Sequence, residues 1–96
     1  MNTIVRGLLE ALKNHQEFKK SNTEVKVTQS MLLVYLHNNL ILRRHLDQNF
    51  TEFTLAGWDT DLTRNRLRAM GINLERKKGT TYYGGKVISL TDWIVA

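Results

Sequence analysis

Apolar residues Ile4, Val5, Leu8, Leu9 and Leu12 recur at helical spacing behind Asn2 or Thr3, either of which can cap a helix. With Phe18 continuing the stripe beyond His15, the pattern predicts an amphipathic helix over about residues 3 to 19. Ser21, Asn22 and Thr23 then signal a turn, EVKV alternates as one short strand, and Thr28 can cap the next element. The segment QSMLLVYLHNNLILRRHL is apolar on nearly all sides, from Met31 to Leu46. It predicts a buried central helix within 28–47, or two helices if Asn38 and Asn39 break it.

Downstream, NFTEFTLAGWD holds Phe50, Phe53 and Trp58 among turn-forming residues and predicts a short helix or tight connection. Thr60 or Asp59 can cap a helix through LTRNRLRAM, with Gly71 as the left-handed residue that ends it and Ile72 as the apolar contact beyond. Residues 72–90 read as a hairpin: Ile72, Leu74 and Arg76 alternate with polar neighbours, VISL returns, and KKGTTYYGGK forms a projecting tip. Thr91 can cap one terminal turn, from which Trp93 and Ile94 fold back on the core.

This order, with a capped helix, Gly-Ile, and a basic hairpin in TDLTRNRLRAMGINLERKKGTTYYGGKVISLTD, resembles the winged helix-turn-helix family. LLVYLHNN looks like the first core helix of the same unit, and the N-terminal helix would be an addition to it. The resemblance implies an α+β fold: a small winged-helix domain over 1–96, with an N-terminal helical extension (1–20), a recognition helix (60–71) and a wing (72–90). It also implies double-stranded DNA as partner, the helix in the major groove and the wing on the adjacent backbone or minor groove.

At 96 residues a second folded unit is not expected. A hydrophobic share of 42% and a charged share of 24% argue against disorder. There is no cysteine, which excludes disulfides and thiolate sites and makes the cytoplasm the default compartment. The N-terminal residues lack a signal-peptide layout, and no window approaches the roughly 20 apolar residues that span a bilayer.

Charge sharpens the reading. The net charge is +5, yet Arg64 to Lys86 alone holds seven cations against Glu75. Helical spacing places Arg64 and Arg68 opposite the arc of Leu62, Leu67, Ala69 and Met70, facing away from the core. Arginine can grip guanine bidentately or hold a phosphate, and Thr60, Thr63 and Asn65 would add polar contacts. Arg66 falls within the apolar arc and takes a structural role, snorkelling or pairing with Asp59 or Asp61. Lys77, Lys78 and Lys86 would neutralise phosphates, with Tyr82 or Tyr83 on sugar or phosphate.

No catalytic constellation, nucleotide-binding loop or metal-ligand spacing stands out; His15, His37 and His45 read as ordinary histidines, and no cofactor is implied. The resulting reading is a small non-enzymatic DNA-binding regulator of transcription or replication. The alternative is a protein-interaction module of phage or plasmid type that offers Tyr82, Tyr83 and the basic wing to an acidic protein. The N-terminal stripe reads first as core packing, with a homodimer seam as the other use.

Overall fold

The computed structural model describes residues 2–96. Asn2 caps the first helix by accepting from the Val5 N–H at 2.8 Å, and α1 runs Thr3–Asn14. It stops before the predicted end because His15 turns left-handed (φ 52°) and Gln16 N–H closes on the Ala11 carbonyl. Phe18 therefore belongs to a strand.

The strands that follow are β1 (Phe18–Lys20), β2 (Thr23–Val27), β3 (Met31–Leu36), β4 (Asn39–His45) and β5 (Phe50–Phe53). After α2 (Asp61–Ala69) come β6 (Leu74–Lys77), β7 (Thr80–Tyr83), β8 (Lys86–Val87) and β9 (Ile94–Val95). One antiparallel sheet has the order β1-β2-β3-β4-β5-β9, and a smaller one the order β6-β7-β8. Nine strands and two helices among the described residues overturn the winged-helix fold, which would place helices ahead of a single hairpin.

The decisive correction lies at 28–47, where neither one helix nor two forms: the segment is the β3–β4 hairpin. Leu32, Val34 and Leu36 are buried on one face, while Met31, Leu33 and Tyr35 are half-buried on the other. Apolar residues on both faces erase the period-two signal, and such a run cannot be told from a buried helix by periodicity. His37 and Asn38 supply the turn, both left-handed (φ 49° and 66°), as a type I′ connection requires. Across it, Leu42 pairs with Val34 and Leu40 with Tyr35, so Ile41 is an extra residue, and the resulting bulge buries Ile41 and Leu42 together.

The remaining boundaries also move. NFTEF supplies β5 instead of a short helix, and TTYY is a strand of its own between the Lys78–Gly79 and Gly84–Gly85 turns, so residues 72–90 form three strands and not one projecting tip. The chain end adds β9 to β5 in place of a terminal helical turn. By contrast, α2 begins and ends as its sequence predicts. Thr60 accepts from the Thr63 N–H, Gly71 is left-handed (φ 93°), and Ile72 N–H reaches the Leu67 carbonyl at 3.0 Å while Gly71 N–H reaches Arg68. That paired closure, with Leu67 and Ile72 both in the core, is a Schellman motif.

Both helices pack on one face of the large sheet, where Leu8, Leu12 and Leu67 meet Val25, Val34, Leu42 and Phe53. The apolar stripe of α1 is spent there, and Gly7 permits the approach, since a Cβ at that position would overlap the Phe18 ring. No helix covers the opposite face. Its cross-strand rows are Lys26–Leu33–Arg43–Glu52–Val95 and Met31–His45–Phe50. No helix among the described residues is long and apolar enough to cross a membrane.

Candidate nucleic-acid interface

The loop before α2 and the hairpin after it converge on Asp59. Arg64 donates to both Asp59 and Asp61, Arg76 Nη1 donates to Asp59 Oδ1 at 3.0 Å, and the Thr81 hydroxyl reaches the two Asp59 oxygens at 2.9 and 3.0 Å. Burial raises the Asp59 pKa, but the hydrogen bonds from Thr81 and Arg64 and the nearby guanidinium charges outweigh it and hold the carboxyl below its ordinary value. One carboxylate thus ties a helix and two strands together.

Arg64 is consequently only 4% exposed, which corrects the expectation that it faces away from the core. The buried arc of α2 is wider than its apolar residues suggest: it runs from Arg66 through Thr63 and Leu67 to Arg64, leaving Asp61, Asn65 and Arg68 to solvent. Asp59 and Asp61 satisfy Arg64 at the margin of that arc. Arg66 is also buried, yet it finds no carboxylate; its Nε donates to the Thr23 hydroxyl at 3.2 Å, and burial lowers its pKa.

The other predicted residues separate into two groups. Thr60 is occupied as the helix cap, and Tyr83 packs edge-on against Phe53 with centroids 5.0 Å apart, so both serve the fold. Arg68 is exposed but braced, Nε to the Leu74 carbonyl at 2.9 Å and Nη1 to Asn65 Oδ1 at 3.3 Å. Lys77, Lys78 and Lys86 are exposed, with Lys77 3.4 Å from Glu75, while Tyr82 is half-buried in the row Glu75–Tyr82–Val87. The hairpin tip is Lys78 (φ 50°) and Gly79 (φ 81°), a two-residue type I′ turn, and Arg76 Nη2 holds the Gly79 carbonyl at 3.3 Å.

Sequence reasoning missed two further features. Trp58 is 57% exposed beside a cavity of about 430 Å³ that reaches inward to Leu36, Ile41 and Leu55, with His37 and Asn39 also lining it. The tripeptide AGW was the available signal, because Ala56 (φ 53°) and Gly57 (φ 83°) turn the chain so that Trp58 faces outward. On the uncovered sheet face, Glu52 accepts from Arg43 at 2.8 Å and lies 2.6 Å from His45 Nε2. Those two hydrogen bonds, Arg43 foremost, hold its carboxyl below the ordinary range. Arg43 also lies 3.9 Å from the Trp93 ring centroid, and His45 stacks on Phe50 at 4.2 Å. The cross-strand spacing of these residues becomes visible only once 31–45 is read as strands.

No group of three or more potential metal-ligating side chains forms among the described residues. No curated protein and no solved structure matches the chain. A family model described as Kyanoviridae Gp96 protein matches residues 1–94, nearly the whole length, and the chain belongs to that phage family.

Proposed function

We propose that this protein is a non-enzymatic nucleic-acid-binding protein that holds phosphates with the cations of its C-terminal unit. The observation that carries this reading is the braced hairpin. Arg76 is fixed between Asp59 and Gly79, so Lys77 and Lys78 project from a tip whose position is set by the fold, with Lys86 and Arg68 exposed on the same unit. Holding cations on a rigid element reduces the ordering cost of binding. Arg64 takes no part in base reading here, because its guanidinium is committed to two carboxylates.

A salt titration of duplex and single-stranded oligonucleotide binding tests the reading. Contacts to about four phosphates give a log–log slope of about −3.6 on duplex and about −2.8 on single strand. Absence of binding at low salt, or a slope unaltered by combined Lys77→Ala and Lys78→Ala, counts against it.

One observation favours a second reading, contact with a protein. The uncovered sheet face presents Met31, Leu33, Tyr35 and Leu40, half-buried, with Phe50 beyond His45 and with Lys19, Lys26 and Glu24 in the same rows, which suits an apolar patch on a partner protein. Sedimentation of the wild type and Leu33→Lys separates the occupants: a dimer lost in the variant assigns the face to a second copy, whereas two monomers leave it to a different protein.

A further inference from the structure

We propose that the Trp58 cavity receives a single unstacked nucleobase, and that the preferred ligand is single-stranded nucleic acid whose phosphates reach the basic hairpin. The inference deepens the nucleic-acid reading and rests on it. Three observations carry it.

The first is shape. At about 430 Å³, the cavity falls within the range of small-ligand sites, and its interior is formed by Leu36, Ile41 and Leu55, all nearly inaccessible to solvent. Such a space suits a flat ring whose faces are apolar and whose polar edge can turn to His37 or Asn39, whereas a phosphate would lose its water to an apolar floor.

The second is the wall. Trp58 stands 57% exposed although the core lies alongside, and the turn that holds it there includes Ala56 in the left-handed region, a conformation unfavourable for a residue bearing a Cβ. Gly57 N–H is anchored to the Leu90 carbonyl at 2.7 Å, and Trp58 N–H to Leu55 at 2.8 Å, so the indole is presented by a fixed turn. Base–indole stacking tolerates any base, and polar groups of His37 and Asn39 can meet a base edge. The Asn39 amide nitrogen already donates to the His37 carbonyl at 3.3 Å, which leaves its side-chain oxygen to accept.

The third is position. Trp58 and Thr60 flank Asp59, and Asp59 is the residue that Arg76 links to Gly79 at the hairpin tip. The loop that carries the cavity's aromatic wall is therefore tied through one ion pair to the hairpin that carries Lys77 and Lys78. At the hairpin, Asp59 holds Arg76 and Glu75 lies 3.4 Å from Lys77, so the tip's positive surplus is Lys78, which forms no ion pair among the described residues. An aromatic wall on a loop tied to a basic hairpin matches a base joined to its phosphates.

The test measures binding of a short labelled single strand, the same strand with abasic sugars throughout, and the matching duplex, each to wild type, Trp58→Ala and Trp58→Phe. Trp58→Ala should weaken binding of the base-bearing strand about tenfold and leave the abasic strand unchanged, with Trp58→Phe retaining most of the affinity. Because Trp58 is mostly exposed, both variants should fold, which thermal melting checks. If the strand binds with normal salt dependence but Trp58→Ala has no effect, or affects the abasic strand equally, the base pocket is wrong while the phosphate-binding reading stands. If no nucleic acid binds the wild type at low salt, both readings fall. Saturable uptake of N-acetyltryptophanamide without any effect of the bases overturns the proposal and assigns the cavity to a peptide side chain.

Discussion

Arg76 Nη1 donates to Asp59 Oδ1 at 3.0 Å, and through this bond the hairpin tip is fixed to the loop that precedes α2. The same carboxylate serves Arg64 and Thr81, and its side chain is only 19% exposed, whereas Asp61, the other partner of Arg64, is 93% exposed. Removing the charge from these two aspartates should therefore have unequal effects. Asp59→Asn should cost about 2 kcal/mol, because it leaves a buried guanidinium short of its main counter-charge. Asp61→Asn should leave the urea midpoint close to that of the wild type. Equal midpoints for the two variants would show that Asp59 does not hold the unit together.

Acid should destabilise the protein through Glu52 and Asp59. Both have folded-state pKa values below their ordinary ones, so near pH 4 the unfolded chain binds more protons than the folded chain. The stabilisation is complete above the ordinary carboxylate range, about pH 5, and is lost as pH falls through the folded values. Melting temperatures should fall steadily below about pH 5. Glu52→Gln should be less stable at neutral pH but show a shallower decline, which a series of thermal melts across that interval measures.

Residues 60 to 72 were legible in sequence because each boundary signal was local: a threonine cap, a left-handed glycine and an apolar residue after it. The fold was not, because it depends on residues 31 to 45, where Leu33 and Tyr35 face outward as apolar residues and imitate a buried helix. The His37–Asn38 turn was the discriminating signal, and a turn of that composition is weaker than Asn-Gly. At the site, helical spacing correctly exposed Arg68 but misplaced Arg64. Asp59, the less exposed of its two partners, lies in the loop before α2, and the hairpin fixes that carboxylate through Thr81 and Arg76.

Gly7 offers a test of α1 packing in which two effects have opposite signs. Alanine in an exposed helix interior would gain about 1 kcal/mol over glycine. Here the added Cβ would overlap the Phe18 ring, which lies between α1 and β1. Overpacking of this kind costs about 1–3 kcal/mol, so Gly7→Ala should be destabilising on balance. Combining it with Phe18→Leu should recover part of the loss in urea melts, and additivity of the two changes would show that they do not meet.

Arg64 and Lys78 are both arginine or lysine residues of the basic C-terminal stretch, yet their environments assign them different work. Lys78 is exposed at a turn and is free to meet a phosphate, so Lys78→Ala should leave stability nearly unchanged, weaken binding of every oligonucleotide alike and lower the salt slope by about one. Arg64 is buried against Asp59, so Arg64→Ala should remove that carboxylate's main counter-charge, leaving it only Arg76 and Thr81, and cost about 2–4 kcal/mol in stability. Among Arg64→Ala molecules that remain folded at low temperature, the salt slope should equal that of the wild type, because a guanidinium already neutralised by two carboxylates releases no counterions from a nucleic acid. Parallel urea melts and salt titrations of the two variants separate these roles: a stable Arg64→Ala protein with a reduced slope would return Arg64 to the binding surface.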